Sequence, residues 1–243
     1  MIRKLGTLLV IVGILAGFLL LVSGPLYRWQ WLDLGTAFLL LRWAAYIGVA
    51  ATVLIIIYLI WQRPRGLQLA ALTFAAIVGF VSFYLPYQQL QTARSVPPIH
   101  DISTDLENPP VFVAVAKERA DAPNPVEYAG EETANQQRKA YPNVQPLILE
   151  SDYERVFSAA LTVVNDLGWQ LVASDLTEGR IEATDTTFWF GFKDDVVIRI
   201  DSSADQVQVD VRSKSRVGRS DVGKNADRIM QFMQQLREQL AAQ

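Results

Sequence analysis

Apolar residues gather into three long runs near the start of the chain, from about Leu5 to Val22, Trp43 to Trp61 and Leu67 to Leu85. Each approaches the ~20 residues that a helix needs to cross a bilayer. Beyond them the pattern turns polar, and nine of the eleven prolines fall between Pro86 and Pro146. That spacing excludes long helices, so the polar stretch from Lys117 to Lys139 is expected to be loop with at most one short helix. From Leu147 onward the chain alternates at helical and strand periods. The pattern predicts a membrane anchor over 1–87, a Pro-rich connecting strap over 88–146 that can wrap the domain, and a soluble α+β domain over 147–243.

Within that domain, Ser151 and Glu154 have capping-box spacing, and Val156, Phe157, Ala160, Leu161, Val164 and Leu167 recur at helical spacing before Gly168. Strands are expected at Trp169 to Ser174, Arg180 to Thr186, Val196 to Asp201 and Gln206 to Arg212, with Phe188 to Phe192 a fifth strand or the bend before one. A four-residue loop, Ser202 to Asp205, would set Val196, Ile198 and Ile200 opposite Val211, Val209 and Val207, and Asp195 opposite Arg212. The last helix is expected to begin near Ser220 and to lay Val222, Ala226, Ile229, Met233, Leu236 and Leu240 on the sheet. The fold class is therefore three transmembrane helices followed by a helix, an antiparallel sheet of four or five strands, and a helix. Phe188, Trp189, Phe190 and Phe192 read as core, with a lipid- or partner-binding ridge as the alternative.

Charge then orients the chain. Residues 1–92 hold six Lys/Arg and one Asp, and the remainder holds sixteen Lys/Arg and twenty-four Asp/Glu, giving +5 and −8 within a net charge of −3. An acidic soluble portion argues against nucleic acid as a partner. Arg3, Lys4, Arg63 and Arg65 flank the spans on one side, against Arg28, Arg42 and Arg94 on the other, which favours an inside N-terminus. Three crossings then make a multi-pass protein of the cytoplasmic (inner) membrane with a periplasmic C-terminal domain. The first run exceeds the h-region of a signal peptide and has no small-x-small cleavage site after it, so it is read as a span. Trp29, Trp31, Trp43, Trp61, Tyr84 and Tyr87 have the placement of interfacial aromatic belts, and Arg42 that of a residue snorkelling to the interface. With zero cysteines, thiolate chemistry and disulfides are excluded.

The densest polar constellation is RSKSRVGRSDVGKNADRI at 212–229. Arg212, Ser213, Ser215, Arg216, Arg219, Ser220 and Lys224, with Gly218 and Gly223 beside a helix N-terminus, could hold an anion. The alternative is an ion-pair and capping network with Asp194, Asp195, Asp210 and Asp221. P-loop spacing is absent, which disfavours nucleotide hydrolysis.

FWFGFKDDVVIRI at 188–200 and VDVRSKSRVGRSDVGKNADRI at 209–229 resemble the signatures of domain of unknown function 1499, and HDISTDLENPPVF at 100–112 and AYPNVQPL at 140–147 resemble its leading segments. The resemblance covers about Val96 to Leu240. It implies a fold and a periplasmic or lumenal setting, and carries no reaction.

Further candidates are His100, the only histidine, with Asp101, Asp105 and Asp195. A triad would need His100 to meet Ser213 or Ser220, neither of which sits in a nucleophile elbow. A hard-cation site could use Asp101 and Asp105, though not as an EF-hand. Asp194 and Asp195 point to opposite faces of a strand and cannot share one bond. No metal or cofactor is assigned. The reading that follows is a non-enzymatic binding or scaffold module, with the bilayer and a membrane-protein partner as its contacts. Alternatives are an accessory subunit of a membrane complex, helped by the small-x-x-x-small pair Gly13 and Gly17, and a hydrolase using His100.

Overall fold

A computed structural model describes residues 2–203 and 206–242. The chain divides into two compact units, Met1–Thr92 with Phe188–Gly191, and Ala93–Thr187 with Phe192–Gln243.

The first unit is built on α1 (Ile2–Arg28), α2 (Leu34–Gln62) and α3 (Leu67–Ser95). All three are long and apolar enough to cross a membrane. Their burial is inside-out relative to a soluble bundle: Ala16, Ala37, Ala44, Ala51 and Ala75 are buried, while Phe18, Leu21, Ile60, Phe74 and Ile77 face outward. Small residues let the backbones approach where no hydrophobic drive separates lipid from protein. Thr52 Oγ1 donates to both Gly48 O (2.8 Å) and Ala76 O (3.2 Å), tying α2 to α3 where Gly48 and Gly79 meet. Gly13 lies against Ala75 and Gly17 against Val78, so the expected small-x-x-x-small pair is used within the chain. Asp33 caps α2 by accepting from Thr36 N. Helix α3 runs through Pro86 to Ser95, past the expected end of the third span.

The second unit holds a six-stranded antiparallel sheet: β1 (Asp101–Ser103), β2 (Leu147–Leu149), β3 (Gln170–Asp175), β4 (Arg180–Thr186), β5 (Lys193–Ser203) and β6 (Gln206–Ser215). The order is β1-β6-β5-β4-β3, with β2 also on β6. The short strands β1 and β2 come from the Pro-rich stretch and from just beyond it, and together cap the outer edge of β6, which would otherwise offer open backbone donors and acceptors. The same stretch forms α4 (Val115–Glu118) and α5 (Glu131–Ala140).

Two helices, α6 (Tyr153–Asp166) and α7 (Lys224–Ala241), cover one face of the sheet. Val196, Ile198, Ile200, Val207, Val209 and Val211 meet Val156, Ala160, Val164, Ile229, Phe232 and Leu236 there, and the Trp169 ring stacks on Phe232 at 5.8 Å. Three details differ from expectation. Asp152, rather than Ser151, caps α6 by accepting from Arg155 N. Helix α7 starts at Lys224, because Asp221 occupies the turn before it. The β5–β6 register is displaced by two: Val196, Ile198 and Ile200 face Ser213, Val211 and Val209, and Asp195 faces Lys214. The strands stay paired to Ser203 and Gln206, so pairing extends into the loop expected over Ser202 to Asp205, of which Ala204 and Asp205 lie outside the described residues. An even displacement preserves which face each side chain takes, so the apolar set still points to the core.

Phe188–Gly191 form a turn between β4 and β5, closed by Thr187 N donating to Phe192 O (2.9 Å). The core reading fails for Phe188, which is 91% exposed, whereas Phe190 is buried.

Candidate functional site

Strand alternation puts Arg180, Glu182 and Thr184 of β4, Asp195, Val197 and Arg199 of β5, and Asp210, Arg212 and Lys214 of β6 on the face opposite the helices. An antiparallel sheet could leave this face in water. Here most of it is buried beneath the segment between β1 and α5. Phe112 and Val115 pack on Val197, and the guanidiniums of Arg212 and Arg119 lie over the Phe112 ring at 4.9 and 5.5 Å.

The charged groups under this cover are paired. Asp101 accepts from Arg212 through Nε and Nη2, both at 2.9 Å, and also meets Lys214 Nζ at 3.0 Å and Ala129 N at 3.2 Å. Asp195 accepts from Arg119 (3.1 Å), from Arg216 through two nitrogens (2.9 and 2.8 Å), and from Thr184 Oγ1 (2.7 Å). Asp210 takes Thr104 Oγ1 and Arg199, and Arg199 also reaches Asp105 at 2.9 Å. Glu182 receives the N–H groups of Val113, Ala114 and Val115 together with Arg180. Its carboxylate thus satisfies three successive backbone donors at the entry to α4. Carboxylates stripped of water are tolerable only when each lone pair is met in this way. Burial lowers the Lys214 ammonium below the usual lysine value, against the pull of Asp101. Burial also pushes the Tyr128 hydroxyl, beside Arg212, up to about 12.

A second polar cluster sits on the helix face at the same end of the sheet. Arg228 of α7 joins Asp185 (2.7 Å) to Asp194 (2.8 Å), and Asn225 accepts from Ser213 Oγ (2.7 Å) while donating to Ser215 Oγ and His100 O. Asp194 and Asp195 therefore serve opposite faces. Asp221 accepts from Gly223 N (2.8 Å) and Asn225 N (2.9 Å), so the chain's own carboxylate fills the N-terminus of α7, with its pKa raised by burial.

The residues read from the sequence as an anion site are thus divided. Arg212, Ser213 and Ser215 are interior and bonded within the fold. Arg216 lies at the rim, held by Asp195 and Glu118. Ser220 Oγ accepts from Val222 N. Arg219 and Lys224 are exposed on either side of that turn. His100 is half-buried with Nδ1 3.4 Å from Arg219 O, and its pKa is lowered by burial. Ser213 and Ser220 have the partners just given, so the geometry does not assemble the triad expected of a hydrolase. Asp101 and Asp105 are taken by cations and backbone N–H groups, and among the described residues no group of three acidic, His or Cys side chains is placed to hold a metal.

Sequence reasoning did not single out Arg119, Glu182, Asn225 or Arg228. Glu182 alternates with Ile181 and Ala183, and Arg228 stands beside Ile229, patterns that a solvent-facing surface would give equally well.

These features define a class: three apolar helices long enough to span a membrane, with a mixed α+β unit whose sheet is apolar toward its helices and charged toward a covering segment. The chain belongs to the family described as Protein of unknown function (DUF1499), whose family model matches residues 101–236, more than half of the sequence. The match takes in both sides of the charged layer, from Asp101 to Arg228, and leaves out the three apolar helices. No curated protein matches the chain.

Proposed function

We propose that this chain is a non-enzymatic envelope module, held by three spans in the cytoplasmic membrane with its C-terminal unit on the periplasmic side. It engages an anionic ligand or partner surface through Arg219, Lys224 and the edge of Arg216. The observation that supports this best is the division of the basic cluster. Arg212 in the interior is paired with Asp101 and Arg216 at the rim with Asp195, while Arg219 and Lys224 stay in water on a turn held from below by Asp221 and Asn225. A rigid turn that presents cations beside a filled helix N-terminus suits recognition of a surface better than enclosure of a small ion. The accessory-subunit reading loses one support, because Gly13 and Gly17 are covered by Ala75 and Val78.

The test compares the full chain with an Arg219→Glu/Lys224→Glu variant in affinity isolation from native membranes, followed by mass spectrometry of bound proteins, lipids and small anions. Both substitutions are on the surface and should leave the unfolding midpoint unchanged. Loss of captured species in the variant supports the reading, and an identical captured set overturns it. A reporter fused to the C-terminus checks the orientation: periplasmic activity is expected, and cytosolic activity refutes it.

A further inference from the structure

Pro25 lies inside α1 and has no N–H, so the carbonyl of Leu21, four residues earlier, loses the i+4 donor that an α-helix would give it. In an apolar span such a carbonyl must find another donor, because lipid offers none. The indole Nε1 of Trp189 supplies it, donating to Leu21 O at 3.2 Å. The neighbouring Gly24 makes room for the ring: a Cβ there would stand 2.7 Å from Trp189 Nε1 and 2.8 Å from its Cγ. Leu21, Gly24 and Pro25 together form a seat for one tryptophan.

The rest of the turn is fixed around that seat. The Phe190 ring lies 6.1 Å from Tyr27 and 5.7 Å from Phe38. Arg28 donates to Phe188 O at 2.5 Å, and its stem crosses Gly191, whose φ of +68° and lack of a side chain permit the approach. Phe188 then projects outward with 91% of its surface exposed, alongside Trp29 at 61% and Trp31 at 72%.

Depth follows from the helix rise. Leu21 is sixteen residues beyond Leu5, where the apolar run begins, or about 24 Å along the axis at 1.5 Å per residue, still within a hydrocarbon core of ~30 Å. Trp29 and Trp31, eight and ten residues further along the chain, have the placement of the aromatic belt. A phenylalanine left bare at this level is costly in water and favourable in lipid.

We propose that the Phe188–Gly191 turn is a membrane-inserted element, with Trp189 completing the hydrogen bonding of α1 and the Phe188 ring in the lipid at the outer boundary of the bilayer. This rests on the spanning role of α1, and the experiment separates the two. The chain has no cysteine, so single spin labels can be placed in the full-length protein at Phe188→Cys, at Phe18→Cys on the outward face of α1, and at Glu132→Cys as a water reference. All three positions are exposed, so folding should be unaffected. In nanodiscs of phosphatidylcholine and phosphatidylglycerol, the Phe188 and Phe18 labels should be relaxed more by oxygen than by a water-soluble nickel chelate, with the reverse at Glu132. A water-like Phe188 label beside a lipid-like Phe18 label overturns the insertion alone, and water-like values at both overturn the spanning reading as well. Adding Trp189→Phe, which keeps a ring and removes the N–H, should shift the Phe188 label toward water. An unchanged label would overturn the seating role of the indole.

Discussion

Asp101 and Arg212, separated by 111 positions in the chain, form a two-pronged ion pair with both contacts at 2.9 Å inside the second unit. Asp101 is 0% exposed and Arg212 3%. The pair fastens β1, where the family match begins, to its neighbouring strand β6. Lys214 shares the same carboxylate, so two buried cations have one acid as their common counter-charge.

Removing that acid should therefore cost more than one contact. Asp101→Asn leaves Arg212 and Lys214 without a counter-charge in a dry setting, and the expected loss is about 3–5 kcal/mol of unfolding free energy. Denaturant titration of the full chain measures it. A loss below about 1 kcal/mol would show that water replaces the carboxylate.

Glu182 tests the covering segment rather than the sheet. Its carboxylate holds three successive backbone N–H groups at 113–115, and each buried donor left unmet costs about 1–3 kcal/mol. Glu182→Ala should speed amide exchange at Val113, Ala114 and Val115 before it affects Ile198 or Val211. Uniform loss of protection would mean that the cover and the sheet unfold as one unit.

In the helical unit the close approach of α2 and α3 depends on Gly48 and Gly79. A Cβ at Gly79 would stand 2.9 Å from Gly48 O, and one at Gly48 would meet Gly79 O. Gly48→Val should separate the two backbones, break the reach of Thr52 to Ala76 O, and lower thermal stability in detergent. Val53→Leu on the exposed face should not.

His100 gives the pH dependence a sign. Burial is the largest influence and lowers its pKa, the Lys214 charge adds to this, and the Arg219 carbonyl, Asp101 and Asp221 oppose it. The unfolded chain takes up its proton near pH ~6.5, before the folded chain does. Between that value and the lowered folded one the unfolded state binds more protons, so stability falls as pH falls through this window. Asp221, whose pKa is raised, works with the opposite sign at lower pH. Denaturation midpoints at pH 7.5 and 5.5 should differ less in His100→Gln than in the wild type; an equal difference would assign the effect to other groups.

The sequence by itself determined the elements whose burial follows a local period. The three apolar runs are helices, Val156 to Val164 and Ala226 to Leu236 lie on the inner faces of α6 and α7, and Val196, Ile198 and Ile200 point to the core whichever even register is adopted. Such patterns are legible because the 3.6- and 2-residue repeats fix a side chain's face without reference to any distant segment. The candidate site was legible only as composition: Arg212 to Lys224 is visibly basic, but nothing nearby in the chain says that Arg212 belongs to Asp101, that Arg216 belongs to Asp195, or that Asp221 fills the N-terminus of α7. Tertiary structure alone decided those pairings. It also decided the recruitment of β1 and β2 to the edge of β6, the burial of the sheet's charged face, and the seating of Trp189 where Pro25 leaves a carbonyl unmet. A charge or an aromatic ring can satisfy many partners equally well, and the one it meets is set by which segments the chain brings together.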